Sequence, residues 1–353
     1  MELREFAVGL VVGLALVALL AVGVGWEELL AKVLAADRSM VLLALAASVA
    51  TVSSYAAATY VLVRQIPGAP GPGRFGLLYF AGVFTKQAVP LGNAGGPALL
   101  AYIFSRYSDA PVERTLLATT VAAVFSFAAS VVVAGGGFAA VALSRPLPGW
   151  FLQLAAVLTL AVALAFAGLV ALALRPGALE DAVRSIAAAG YRLLGPHSAR
   201  LERNLNPVVV DARIDRFVET GENVAHAPRA VAMSFGFSVL GWLFAGATLS
   251  LSLVAVGLQP DFAAAAVAVP LSGVANAVPL PGGLGGVEVT LAGLVSLLGS
   301  GETATVGAAV VIFRVASFWF RLAVGGIAAL AVLGSFGVGD AALADVEEST
   351  EEQ

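Results

Sequence analysis

Four charged residues sit where the surrounding sequence is almost wholly apolar: Lys86, Glu288, Arg314 and Arg321. A charge at the centre of a membrane helix costs about 2.5–3.5 kcal/mol on insertion scales, so such groups face a cavity or one another. Arg314 and Arg321 are seven residues apart, two turns of a regular helix, which predicts one shared face. Lys86 precedes a break built from Pro90, Gly92, Gly95 and Gly96. Glu288 follows a second break, built from Pro279, Pro281, Gly282, Gly283, Gly285 and Gly286. Asn93 and Asn276 place an amide at each break. The chemistry these types suggest is capture of an anionic group in a cationic cavity. Lys86, Arg314 and Arg321 contact the anion, the two asparagines flank it, and half-helices starting after the glycines add backbone N–H donors. Glu288 then orients Arg314 or titrates. A structural alternative stays open: Glu288 serves only as a first-turn acid or as the partner of Arg314, and Arg321 reaches for the interface.

Catalytic patterns are not found. The two histidines, His197 and His226, fall in a polar segment. No zinc-protease helix motif, nucleophile elbow or dinucleotide fingerprint occurs. With no cysteine there is no thiolate nucleophile and no disulfide framework. No enzyme activity, cofactor or metal is expected.

The elements that must position these residues follow from composition. Of 353 residues, 59% are hydrophobic and only 12% charged, with mean hydropathy +0.94. A soluble domain carries about 25% charged residues, so this chain cannot cover itself in water. That excludes an ordinary soluble enzyme and a nucleic-acid binder. The apolar runs are continuous rather than alternating, which excludes an outer-membrane barrel. The fold class is an all-α polytopic membrane protein.

A span needs about 20 apolar residues. Six runs qualify: Phe6–Val24, Met40–Val63, Thr115–Leu143, Phe151–Leu174, Ala230–Gly257 and Thr303–Leu333. The stretch Trp26–Ser39 reads as a polar loop. Two further apolar segments, 75–104 and 262–298, carry the Pro/Gly breaks, with Pro270 an additional break in the second. The chain thus divides into an N-terminal membrane half (1–174), an Arg-rich connector (175–229), a C-terminal membrane half (230–333) and an acidic tail (334–353) expected to be disordered. Arginine placement puts the connector in the cytoplasm. If segment 75–104 crossed once, the basic loop Arg64–Arg74 would lie outside. A re-entrant hairpin keeps that loop inside, and non-helical backbone at membrane depth survives only when buried or lining a wet cavity. The second half repeats the pattern in opposite orientation. The expectation is six spans plus two re-entrant hairpins arranged as inverted repeats, in the cell membrane, with both termini cytoplasmic.

The run Pro279-Leu-Pro-Gly-Gly-Leu-Gly-Gly-Val-Glu288, followed by Ala309-Val-Val-Ile-Phe-Arg314, resembles the lysylphosphatidylglycerol synthase/flippase transmembrane family. Val89-Pro-Leu-Gly-Asn-Ala-Gly-Gly96 is similar to that family's other Pro/Gly signature. The resemblance covers roughly Phe6 to Leu333. It implies movement of a charged or sugar-bearing lipid between leaflets, with the lipid or lipid-linked saccharide as partner and a separate lipid-modifying enzyme or glycosyltransferase supplying it. No soluble synthase domain follows Leu333, so synthesis is not expected. Relatives are expected to carry an acid–Arg pair in the helix after the first hairpin, whereas this chain has uncharged Val121-Ala-Ala-Val-Phe-Ser-Phe127. Two other readings of the same residues remain: a secondary transporter of a small anionic solute, and a non-catalytic membrane subunit of a glycolipid or glycosylation pathway.

Overall fold

The computed structural model describes residues 26–88, 95–144, 227–259, 261–273, 283–298 and 301–335, with Gly149, Gln153 and Ala275. The expected spans 6–24 and 151–174, most of the connector and the tail lie outside the described residues. So do Asn93, Asn276, Pro90, Gly92, Pro279, Pro281 and Gly282. All described regular structure is helical. In chain order the helices are α1 Trp26–Leu34, α2 Arg38–Val63, α3 Pro72–Ala88, α4 Gly96–Arg106 and α5 Val112–Ser144. They continue with α6 Pro228–Ala255, α7 Phe262–Ser272, α8 Gly286–Leu298 and α9 Thr303–Arg314, then a π-helical stretch, Val315–Trp319, and α10 Phe320–Ser335.

Among the described residues four helices are long and apolar enough to cross a membrane: Arg38–Val63, Val112–Ser144, Pro228–Ala255 and the continuous run Thr303–Gly334. They coincide with four of the six expected spans. Several of their serines and threonines bond back along the helix: Thr51 Oγ1 donates to Ala47 O, Ser238 Oγ to Ser234 O and Ser252 Oγ to Thr248 O. Such a hydroxyl has its proton used at no cost to a neighbouring helix.

Trp26–Leu34 is not the loop expected from its charges. It is a helix with Leu29 buried and Leu34 exposed, ion-paired through Lys32 to Glu28 (3.6 Å) and to Glu302 at the head of α9 (3.3 Å). Six apolar residues among nine, with Leu29 buried, give it an apolar face that the charge count concealed. Asp37 then caps α2, its carboxylate accepting from the N–H groups of Ser39 and Met40. Those bonds, led by the Ser39 hydroxyl, hold the Asp37 carboxyl below the usual carboxylate range.

The segment around the first break folds back on itself. Phe75, near the start of α3, stacks on Phe104, near the end of α4, at 4.7 Å between ring centres. At the other end a side chain at Gly96 would strike the Lys86 stem (3.1 Å). The two helices are therefore antiparallel neighbours. An α4 of 11 residues is only about 16 Å long, half a bilayer core. The loops at their open end also touch: Gly68 abuts the Asp109 backbone. In the second segment Gly286, at the head of α8, lies against Ala275, just beyond α7, while Ala264 and Val267 share a buried cluster with Leu298. Gly283 and Gly285 adopt φ of +64° and +83°, backbone open to glycine and costly for other residues, which turns the chain into α8. Pro270 does not break the segment as expected. It lies inside α7, close to the helix end at Ser272, where few residues remain to be disturbed.

The same order, long helix, two short helices, long helix, occurs twice. The starts Arg38 and Pro228, Pro72 and Phe262, and Gly96 and Gly286 are each 190 residues apart, and Val112 and Thr303 are 191 apart. The corresponding helices α2 and α6 pack directly and antiparallel. Asp37 N–H donates to Ala255 O at one end (2.8 Å), Tyr55 meets Gly241 and Trp242 midway, and Arg64 faces Arg229 across a cleft at the other end. Each half also embraces the other: α3 packs on α10, and α7 on α5. Gly325 sits on the Phe80 carbonyl, and Gly137 on the Ala263 carbonyl. Small residues let these backbones approach closely, as membrane helices require.

Charge separates along the bundle. Arg64, Arg74, Arg106, Arg114 and Arg229 share one end with Asp109 and Glu113. The other end carries Glu27, Glu28, Asp37, Asp261 and Glu302 with Lys32 and Arg38.

Candidate functional site

Glu288 is the third residue of α8 and Arg314 the last of α9. Arg314 Nε donates to Glu288 Oε1 at 2.6 Å, and both residues are buried, 8% and 6% exposed. A side chain that must leave water and lipid alike is best placed on a charge partner. The other carboxylate oxygen, Oε2, is buried without a hydrogen-bond partner. The Arg314 guanidinium also lies over the Phe318 ring, 4.7 Å from its centre, one turn on. Both expected alternatives for Glu288 are realised together: it is a first-turn acid and the partner of Arg314.

Arg321 does not share the face of Arg314. The seven-residue spacing runs through the π-helical stretch, whose wider turn shifts the helical phase. Arg314 therefore turns to α8, while Arg321 turns to α2. Its Nε donates to Ser48 Oγ at 2.9 Å, and Ser48 Oγ donates onward to Ala316 O at 2.7 Å. The irregularity explains the second bond. Phe320 N–H bonds the Val315 carbonyl five residues back and bypasses Ala316, leaving that carbonyl to accept from Ser48. Arg321 also lies within electrostatic reach of Tyr55, Tyr79 and Arg314.

Lys86 lies half-buried in the last turn of α3, its stem against Gly96. It feels the charge of Arg321, and no described carboxylate is within ion-pair distance of either. Beside it the Gln87 Oε1 is buried without a donor. The fold thus brings the half-buried Lys86 and Arg321 and the buried Arg314, placed by three different elements, into one region, with Glu288 answering Arg314. Gly95 caps α4, and Gly96 and Gly286 begin the half-helices as expected.

Ser48, Tyr55, Tyr79 and Gln87 were not singled out from the sequence, because a lone hydroxyl or amide in an apolar helix bonds its own backbone more often than a ligand. The missing acid–Arg pair in α5 also has a structural counterpart. Phe125 there meets Phe235 of α6 edge-on at 6.4 Å, and Ser126 O accepts from Trp242 Nε1 at 2.8 Å. That position in the first half is filled by aromatic packing instead of charge.

A bundle of long apolar helices with paired short helices between them, enclosing charge at its centre, defines a multi-pass α-helical membrane protein. Its sequence matches the family model of the lysylphosphatidylglycerol synthase TM region over residues 6–325. The chain belongs to that family. No curated protein matches it.

Proposed function

We propose that this membrane protein is a flippase: it moves a charged or sugar-linked lipid between leaflets by lodging the headgroup in the cationic cluster of Lys86, Arg314 and Arg321. The observation that carries the reading is the placing of Lys86 and Arg321, both half-buried, on the packed helices α3 and α10 with no described carboxylate within ion-pair distance of either. Two uncompensated cations at this depth are costly, and an anionic headgroup offsets the cost. Asn93 and Asn276, one at each break, belong to the same site.

The repeated element order, the constant offset and the antiparallel α2–α6 contact support inverted repeats, with the pairs α3–α4 and α7–α8 entering and leaving on the same side. Six spans result once 6–24 and 151–174 are included. Transporters of this design hold substrate near the midplane at broken helices. The arginine-rich end is cytoplasmic by the positive-inside rule, which places both termini in the cytoplasm and suits the cell membrane. The protein acts by translocation and not as an enzyme. A separate lipid-modifying enzyme or glycosyltransferase supplies the lipid.

The test is translocation of fluorescent lipids in proteoliposomes, read by quenching of the outer leaflet. Lys86→Gln and Arg321→Gln should slow movement about tenfold or more, since a cation–anion contact at an effective dielectric of 20 is worth more than the 1.4 kcal/mol of a tenfold change. Equal rates in well-folded variants would refute the site. Transport of a soluble anion without lipid movement would instead favour a solute transporter.

A further inference from the structure

Resting on the translocase reading, we propose that the headgroup this site takes is a phosphate monoester dianion, the terminal phosphate of a lipid, and that a lysylated lipid headgroup is excluded. The argument is a charge count. Within the apolar segments the sequence holds three cations, Lys86, Arg314 and Arg321, and a single carboxylate, Glu288. The structure commits that carboxylate to Arg314 at 2.6 Å, and it makes no ion pair with either of the other two. Lys86 and Arg321 remain, on the helices α3 and α10 that pack together where Gly325 meets Phe80 and Phe84. Spans 6–24 and 151–174 contain no charged residue, so nothing from them changes the balance.

A ligand that neutralises two neighbouring cations carries two negative charges on one group. A phosphate monoester does so near neutral pH, with about −1.5 to −2 charge and three acceptor oxygens. A phosphodiester carries a single charge. A lysyl-bearing phosphodiester has two ammonium groups against one phosphate and is net cationic, so it meets repulsion here. Other groups around the cluster also suit acceptor oxygens. The Tyr55 and Tyr79 side chains lie near Arg321, and Arg321 Nε is already positioned by Ser48, which fixes where its terminal N–H groups point. Movement of a dianion bound to two cations leaves the site without net charge, so the loaded site avoids the cost of carrying unbalanced charge through the bilayer.

The experiment uses the full chain in phosphatidylcholine vesicles. Four substrates are compared: labelled phosphatidic acid and a labelled polyprenyl phosphate, both monoesters; labelled phosphatidylglycerol, a diester; and labelled lysyl-phosphatidylglycerol. A fifth arm follows release of trapped radiolabelled inorganic phosphate. The two lipid monoesters should move at least roughly tenfold faster than the diester, and the lysyl lipid no faster than in empty vesicles. Acidification from pH 8 to pH 5 crosses the second phosphate ionisation, at about 6. The monoester advantage over the diester should therefore shrink towards parity. Lys86→Gln should shrink it also, at constant pH. Lysyl-phosphatidylglycerol moved as fast as phosphatidic acid, or an advantage indifferent to pH, overturns the assignment while leaving the translocase reading intact. Release of inorganic phosphate with no lipid movement keeps the monoester chemistry and overturns the lipid as its source. No movement of any substrate by folded protein overturns both.

Discussion

Replacing Arg314 with methionine is the perturbation whose cost can be worked most directly. The substitution keeps a long apolar stem and removes the guanidinium, so little packing volume is lost. Glu288, 6% exposed, is left with neither oxygen paired, because Oε2 has no partner even in the intact protein. Unit charges about 4 Å apart interact by about 4 kcal/mol at an effective dielectric of 20. Breaking buried pairs by removing one partner costs about 3–5 kcal/mol in practice. Arg314→Met should therefore destabilise by about that much. The double variant Glu288→Gln/Arg314→Met has no buried charge in the pair and should recover most of the loss. The measurement is a double-mutant cycle on detergent-purified protein, using denaturant unfolding followed by the tryptophans. A coupling of at least about 2 kcal/mol is expected, at the upper end of the range for contacting residues. If the double variant is no more stable than Arg314→Met, the pair is not an electrostatic unit and the argument fails.

Other consequences are open to test. Trp242→Phe removes the bond to Ser126 O that ties α6 to α5 and should cost about 0.5–1.5 kcal/mol in unfolding experiments. At Gly241 a side chain would lie 2.5 Å from the Tyr55 ring, so Gly241→Val should wedge α2 from α6 and cost about 1–3 kcal/mol, whereas Gly236→Ala, with open space around it, should not. Single cysteines at Gly73 and Ser108 should both label from the cytoplasm and one at Leu34 from outside; labelling of 73 and 108 from opposite sides would remove the first hairpin. The Asp37 cap contributes above the ordinary carboxylate range and is lost as pH falls through its lowered value, so acid should speed hydrogen exchange at Ser39 and Met40, and Asp37→Ala should abolish that dependence.

Much of this architecture could be read from residue types alone, because lipid reduces the rules to few. Continuous apolar runs have to be helices, and four of those expected are present where the structure describes them. Glu288 and Arg314 stood out because charge is rare inside such runs, and the fold brings them together. What sequence could not convey was phase. The spacing of Arg314 and Arg321 assumes regular turns, and a π-helical stretch has no sharp residue signature, so their divergence toward α8 and α2 emerges only in three dimensions. Ser48 was invisible for a related reason: its partner, Ala316, is 268 residues away and is exposed to it by that same irregularity. Trp26–Leu34 misled in the opposite direction, since its charges cluster on one side of a short helix that buries Leu29 and is tied to α9 through Lys32.

The exchange of partners between the two halves sets a timetable for synthesis. The surface of α3 that receives α10, and the face of α5 that receives α7, are complete in the first 144 residues, yet their covers arrive only after residue 262 and, for α10, after residue 320. At 5–20 residues per second α3 waits roughly 10–50 s for its partner. Throughout that interval the surface of α3 around Phe80 and Phe84, which Gly325 later meets, lacks its cover from α10. The first half must therefore be held at the insertion machinery, or kept shallow in the bilayer, until the ribosome delivers the chain that buries it.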